Sequence, residues 1–472
     1  MLLKDLLIGV QYSGNADIEI KDIVSDSRKV GEGSAFVCIK GYETDGHNYA
    51  KIAADSGASV IIAEHETDAN CPTVIVKDSR NVMALLCANF YQNPSKEFKL
   101  VGITGTNGKT TTTYLIKNIL EKAGQKVGLI GTNHNMIGDR IIETKRTTPD
   151  SFELQALFRE MASEKVDTVV MEVSSHALFL DRVAYCDFDV GVFTNLTQDH
   201  LDFHKTMENY ADAKAILFKM CKKGVVNADD KYVDRIINGA TAEISTFGVK
   251  TNSGLLAKDV VLKENGVEFL ADGISYHLPI PGEFSVYNAL CAISAAKALG
   301  IDETIIAEGI KTAHGVKGRA QVVDLGLDAT FIIDYAHTPD GVENILNTVK
   351  GFAKGRVIVL FGCGGDRDNK KRPIMGEIAD KLADFCIVTS DNPRTENPTE
   401  IINQILVGMK GKHHIVIENR RDAIKYAVVN AKKGDVVVLA GKGHETYQTI
   451  GKENFPFDEE KILFEIKEEL GV

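Results

Sequence analysis

Four apolar runs in the middle of the chain, KLVGITGT, VDTVVMEVSS, FDVGVFTNL and KGVVNADD, each end in small or polar residues, and helical patterns follow several of them. Such alternation implies a largely parallel sheet flanked by helices. Ligands of open α/β sheets sit beyond the carboxyl ends of the strands, which places Thr106, Ser174, Asn195 and Asp229 near one rim. The pattern restarts after a glycine-punctuated hinge, AHGVKGRAQ. There ATFIIDYAH, GRVIVLFGCGGDRD, DFCIVTSDNPR, HHIVIENR and DVVVLAGKGHE read as five strands of a second α/β domain. Ahead of these blocks, SAFVCIKG, ASVIIAEH and PTVIVKDS are short strand-like runs, NVMALLCANFYQNPS a closing helix and NPSKEFK a linker. The expected fold class is therefore α/β in three domains, 1–97, 98–319 and 320–472. No fixed-period repeat or low-complexity segment interrupts them.

The 472 residues are ample for several cores. With 66 acidic against 54 basic residues the formal charge is -12, which argues against a sequence-independent nucleic-acid binder. No apolar run approaches the ~20 residues that span a bilayer, and the N-terminus lacks a signal-peptide core. The eight cysteines form no C-x-x-C pair and read as thiols of a reducing cytosol.

The run VGITGTNGKTTTTYLIKNIL has the strand–glycine loop–helix form of a phosphate site. Glycines let backbone N–H groups turn toward an anion, and the helix N-terminus adds a favourable dipole. Lys109 would contact the β- and γ-phosphates and Thr110 would ligate Mg2+. Leu115, Ile116, Ile119 and Leu120 would face inward and Gly124 would stop the helix. The spacing is not that of the common P-loop, because Ile103 stands where its first glycine belongs. TVVMEVSSH has the form of a strand delivering one carboxylate, Glu172, where Mg2+ is needed; a plain buried strand end is the alternative. His200 and His204 stand at i, i+4 spacing as in zinc proteases, but Leu201 occupies the place of the required Glu.

Together GTNGKTTT, TTP, MEVSSHAL, TNLTQDHLDFH, YADAK, DYAHTPD, GCGGDRD, DNPR and GKGHE span all three blocks in order and resemble the Mur ligase family. These are ATP-dependent amino-acid ligases of cytoplasmic peptidoglycan precursor synthesis. The resemblance implies an N-terminal nucleotide-sugar-binding domain, a central P-loop-like ATPase domain and a C-terminal Rossmann-like, amino-acid-binding domain. It implies a reaction in which ATP phosphorylates a carboxylate and an amine attacks the acyl phosphate. By resemblance, Gly105, Thr106, Asn107, Gly108, Lys109, Thr110 and Thr111 hold the triphosphate. Thr110, Glu172, His200 and Lys214 position Mg2+, with Lys214 as a carbamate; as plain sequence Lys214 is a surface lysine on a helix. Asn288, Arg319, Asp334 and His337 resemble the adenine, ribose and phosphate contacts. Lys109, Lys214, His200 and Glu172 form the catalytic set.

The same resemblance gives the other substrates. Ser25 and Ser27 fall on uridine-contacting positions, and Tyr42, Glu43 and Thr44 on a loop facing the diphosphate. Thr147, Thr148, Ser174 and Arg182 match contacts to the muramoyl-dipeptide. Leu180 stands where some members have Gln, so that contact is not assigned. Arg367, Asp391, Asn392, Pro393, Arg394, Gly441 and Glu445 match contacts to the added amino acid. The guanidinium of Arg394 can clasp a carboxylate through two hydrogen bonds, and meso-diaminopimelate has a distal carboxylate where lysine has none. Lysine-adding members usually lack this arginine. The expected reaction is addition of meso-diaminopimelate to UDP-N-acetylmuramoyl-L-alanyl-D-glutamate by a cytoplasmic monomer without nucleic-acid or membrane partners. Alternatives are the same reaction with L-lysine or lanthionine, a folylpolyglutamate-synthetase-like ligase, or a non-catalytic nucleotide switch. The last has no use for the assembled carboxylates and second substrate pocket.

Overall fold

The computed structural model describes residues 1–12, 16–41, 44–144, 146–263, 265–411 and 413–471. Tyr42 and Glu43 lie outside the described residues. The N-terminal strands β1 (Asp22–Val24), β2 (Ser34–Val37), β3 (Ala58–Ala63) and β4 (Thr73–Ile75) form a parallel sheet in sequence order. Helix Ser79–Phe90 closes its core, packing Leu86 and Cys87 against Val37, Val60 and Ile62. The segment read as a linker is instead partly structured: Pro94–Lys96 make a helical turn with Pro94 and Ser95 buried.

The central strands are β5 (Lys99–Thr104), β6 (Val127–Ile130), β7 (Asn135–Ile137), β8 (Arg140–Ile142), β9 (Thr168–Glu172), β10 (Phe188–Phe193), β11 (Cys221–Asn227), β12 (Glu243–Gly248) and β13 (Leu255–Leu256). Their order is β13-β12-β11-β10-β5-β9-β6-β7-β8, with an antiparallel β6-β7-β8 end. The four strands read from the sequence are β5, β9, β10 and β11. An antiparallel sheet of β14 (Lys258–Lys263), β15 (Gly266–Ala271) and β16 (Ile274–Leu278) follows, which the sequence reading did not include.

The C-terminal sheet holds β17 (Gln321–Val323), β18 (Thr330–Asp334), β19 (Val357–Phe361), β20 (Phe385–Val388), β21 (His414–Val416) and β22 (Val436–Ala440), in the order β17-β18-β22-β19-β20-β21. The last five are the predicted strands, and β17 is an added antiparallel edge. Val357, Val359 and Phe361 face one core with Leu346 and Ile405, while Ile358 and Leu360 face another with Ile424 and Leu463. This period of two, buried on both faces, is why these strands read as unbroken apolar runs. The parallel register pairs Asp334 with Ala440, Leu360 with Leu439 and Phe361 with Val388. The loops DYAHTPD, GKGHE, GCGGDRD and DNPR therefore all leave the same carboxyl rim. A final hairpin of β23 (Tyr447–Ile450) and β24 (Glu453–Pro456) bridges to this rim through Arg394 and Ile450.

The chain divides into two compact units. One comprises Met1–Gly102, Gln125–Gly191 and Ile216–Lys222; the other comprises Ile103–Gly124, Val192–Ala215 and Lys223–Val472. Among the described residues no helix is long and apolar enough to cross a membrane.

Candidate active site

In the second unit, Ile103 is fully buried as a strand residue, and the loop begins two positions later at Gly105. The loop is thus shorter than that of the common pattern. Gly105 and Gly108 have φ of +150° and +85°, and a Cβ on them would meet Thr194 Oγ1 at 1.9 Å and Asn288 Oδ1 at 2.3 Å. Those contacts and the backbone conformation leave room only for glycine. Asn195 fixes the loop from the neighbouring strand: its carbonyl accepts from Thr106 N–H and its Oδ1 accepts from Asn107 N–H, both at 2.9 Å. Helix Lys109–Lys122 then begins, burying Leu115, Ile116, Ile119 and Leu120 as expected.

Lys109 Nζ donates to the carbonyls of Gly105 and Thr106 at 3.0 and 2.8 Å. Lys214, on helix Met207–Ala215, is buried and donates to the same Gly105 carbonyl at 2.8 Å, 4.5 Å from the Tyr210 ring centroid. Burial, and next the charge of Lys109, hold its amine well below the usual lysine range. The surface-lysine alternative is therefore excluded.

Residues from the hinge and the third block complete this site. Arg319 Nη2 donates to Thr110 Oγ1 at 3.0 Å, and its guanidinium lies over Tyr335. Asp334 accepts Ala320 N–H at 2.6 Å; burial raises its proton affinity against that bond and the Arg319 charge. Asn107 Nδ2 donates to Asp340 Oδ2 at 2.6 Å. A cavity of about 380 Å³ is lined by Asn107, Gly108, Thr111, Asn288, Arg319 and Asp334 together with Asn195, Asp229 and Tyr287. Six of the predicted ATP contacts thus face one space. Asp229 accepts the N–H groups of Val249, Lys250 and Thr251 and the Tyr287 hydroxyl. These bonds overcome burial and bring its carboxyl down to about 2.

Asp199, which sequence reasoning missed, is the buried node beside the loop. Lys371 Nζ lies 3.2 Å, His200 Nε2 3.3 Å and His337 Nε2 3.6 Å from its carboxylate. Burial would raise its carboxyl, but these neighbours hold it well below the carboxylate range. His200 precedes the short helix Leu201–His204 at φ +55°, so the two histidines do not share a helical face. His204 is buried against Tyr210 as a core residue. Among the described residues no cluster of three His, Cys, Asp or Glu side chains is placed to hold a metal.

At the C-terminal rim, Arg394 has φ +50° and donates from Nη1 to the Gly365 carbonyl at 2.6 Å. Burial, then the charge of nearby Arg367, lowers its proton affinity. Arg372, fully buried, donates to both oxygens of Glu396 at 2.8 Å and to the Gly364 carbonyl at 3.0 Å. It ties the loop of Arg367 to the loop of Arg394. The charges of Asp391 and Glu445 act on Arg394 from nearby. Asn392 Nδ2 donates to Glu445 Oε2 at 2.9 Å. Asp391 Oδ2 is buried with no hydrogen-bond partner, 2.6 Å from where a Cβ on Gly441 would lie. Burial works to raise the Asp391 carboxyl, but Lys442 and Arg420 hold it down.

The first unit carries its own polar cluster. Thr132 donates from N–H and Oγ1 to the two oxygens of Glu172 at 2.8 and 2.9 Å. Thr148 Oγ1 donates to the Glu172 carbonyl and Arg182 Nη1 to the Thr148 carbonyl. Thr147 Oγ1 lies 3.1 Å from Thr132 Oγ1, and Ser174 Oγ caps helix Ser175–Phe179. Ser25 directly follows β1, Ser27 opens the next helical turn, and the Thr44 carbonyl closes a turn with Gly41 N–H. Val24 pairs with Phe36, so the loops after β1 and β2 leave one edge. Of the predicted metal set, Thr110, His200 and Lys214 belong to the second unit and Glu172 to the first.

Three Mur ligase descriptions match in succession. The family catalytic domain covers residues 19–91, the middle domain 103–296 and the glutamate ligase domain 318–443. The chain belongs to the Mur ligase family. A Clostridium acetobutylicum protein named UDP-N-acetylmuramoyl-L-alanyl-D-glutamate--2,6-diaminopimelate ligase 1 is 49% identical over 100% of both chains. A Clostridium botulinum ligase of the same activity name is 51% identical over 96% of both. A solved ligase structure of that name superposes with a TM-score of 0.71 at 32% identity, covering 100% of this chain and 99% of the other. Asp199 and Lys442 lie inside Mur ligase motifs quoted above, TNLTQDHLDFH and GKGHE, and that membership was their one signal in the sequence. Lys371 and Arg372, in NKKRP, carry no such signal.

Proposed function

We infer that this Mur ligase adds meso-diaminopimelate to UDP-N-acetylmuramoyl-L-alanyl-D-glutamate, using ATP. The observation that carries the amino-acid choice is that the rim brings Arg367 and Arg394 within reach of Asp391 and Glu445, and we take the two pairs as the cationic and anionic walls of the pocket. A distal carboxylate and ammonium on one carbon need both walls. Lysine would leave Arg394 facing an ammonium, unpaired and repelled. The names of the half-identical, full-length relatives agree with this reading.

ATP would occupy the cavity beside Gly105–Thr111, lined by Asn288, Arg319 and Asp334, with His337 following Asp334 at the same carboxyl rim. The backbone N–H groups of the loop and Lys109 would hold the triphosphate, exchanging the carbonyl contacts of Lys109 for phosphate oxygens. The acceptor carboxylate takes the γ-phosphoryl group, ADP leaves, and the amine of diaminopimelate attacks the acyl carbon. Phosphate departs as the amide forms, and the amine's proton is lost. Mg2+, for which Thr110, His200 and Lys214 of the second unit are the candidate ligands, would offset the charge between the phosphates and the carboxylate. The fit of Lys214 is chemical: a buried amine kept from protonation is the form that adds carbon dioxide. Ser25, Ser27, Tyr42, Glu43 and Thr44 would receive the uridine diphosphate end, and Thr147, Thr148, Ser174 and Arg182 the muramoyl-dipeptide. We assign 1–97, 98–319 and 320–472 to the three substrates in turn, in a cytoplasmic monomer.

Coupled phosphate release tests the reading. Release should require ATP, the UDP-muramoyl-dipeptide and diaminopimelate together. Release without the dipeptide, or with a folate acceptor in its place, would overturn it.

A further inference from the structure

Lys442, in the GKGHE loop of the rim, has no exposure to solvent. Its Nζ donates to Asn392 Oδ1 at 2.9 Å and to Glu445 Oε2 at 3.0 Å. Asn392 Oδ1 also accepts Thr449 N–H at 2.9 Å, while Asn392 Nδ2 donates to Glu445 Oε2 at 2.9 Å. Two donors on Oδ1 leave the amide one orientation. With Oε2 of Glu445 taken by Lys442 and Asn392, Oε1 is the oxygen left to meet a ligand. The rings of Tyr447 and Phe457 flank the ammonium at 5.9 and 5.8 Å and close its surroundings. The same charge steadies Asp391, whose Oδ2 is buried and unpartnered beside Gly441.

A buried ammonium is costly unless it is paired and hydrogen-bonded. Here it is paired with two of the groups assigned to the amino acid, and a third lies close by. Two carboxylates converging on one small site would repel each other and favour a shared proton. A fixed cation beside them offsets that repulsion without taking the ligand's place: it lowers the Asp391 carboxyl and is hydrogen-bonded to Glu445.

We propose that Lys442 is a positioning residue for the added amino acid: it fixes Asn392 and Glu445 as a preset receptor for the distal ammonium. This rests on the diaminopimelate reading above. It extends that reading to a residue that does not touch the ligand.

The test compares the wild-type enzyme with Lys442→Met, which keeps the side-chain length and removes the ammonium. Wild-type phosphate release with diaminopimelate is measured first, and its failure would count against the function rather than against Lys442. Given that turnover, Lys442→Met should raise the KM for diaminopimelate about 10- to 100-fold, with the KM values for ATP and UDP-muramoyl-dipeptide unchanged. Stabilisation of the folded protein by diaminopimelate in thermal melts should fall in parallel, while stabilisation by ADP persists. Equal loss toward all three substrates, or an unchanged KM for diaminopimelate, would overturn the proposal. Should Lys442→Met not fold, Lys442→Gln keeps a donor to Asn392 and loses the charge on Glu445. The same selective rise in KM supports the proposal and the same uniform loss defeats it.

Discussion

At the glycine loop the Lys109 ammonium and the Lys214 amine donate to backbone carbonyls, whereas at the DNPR rim Lys442 and Arg372 donate to carboxylates. The two regions belong to one compact unit and serve one reaction, yet their charge is arranged for different guests. Those carbonyl contacts are neutral ones, which a polyanion can replace without breaking an ion pair. The rim balances each buried cation internally and offers separate positive and negative walls. That suits a zwitterionic group, which brings no net charge.

Removing a cation from the loop should cost most. Lys109→Ala is expected to lower kcat about 10²- to 10³-fold, as loss of a preorganised transition-state donor does. The KM for diaminopimelate should stay within twofold, roughly the noise of such comparisons. A mainly diaminopimelate-dependent defect would erase the distinction between the regions. At the rim, Arg372→Met frees Glu396 and the Gly364 carbonyl and lets the two arginine loops drift. The KM for diaminopimelate should rise about tenfold, the scale of lost supporting contacts at a site, with ATP use unaffected in the same assays.

The smallest effect concerns stability. As a free amine, Lys214 has a folded proton affinity far below its ordinary value, for which burial is the first cause. The unfolded chain holds that proton up to about pH 10. Between the two values the unfolded state binds more protons, so stability rises with pH. In carbon-dioxide-depleted buffer, Lys214→Met should therefore melt a few degrees above wild type near pH 7, roughly a 1 kcal/mol effect. The gap should close toward pH 10. A lower melting temperature for Lys214→Met at pH 7 would show the buried amine to be well accommodated.

What the sequence made legible follows from burial and motif. The parallel strands announced themselves because residues such as Val357–Phe361 are apolar on both faces. The sheet of β14–β16 was hidden because β14 is mostly exposed and polar, which breaks the period. Edge strand β17 has three residues, too few for any pattern. The loop residues were legible as a motif, and the six that line the cavity do so from four separate segments. Buried charges were not legible, because their burial depends on distant partners. Arg372 finds Glu396 twenty-four residues away, Lys371 finds Asp199 172 away and Lys442 finds Asn392 fifty away. Nothing local distinguishes these cations from the solvated lysines around them.

The most direct test is kcat/KM for meso-diaminopimelate against L-lysine, in wild type and in Arg394→Ala. A rim built for a zwitterion should favour diaminopimelate by about 10³-fold or more in the wild type, as sites that hydrogen-bond a group reject analogues lacking it. Arg394→Ala should lose most of that ratio by losing diaminopimelate use. Equal turnover of the two amino acids by the wild type, or an unchanged ratio in Arg394→Ala, would contradict the two-walled rim.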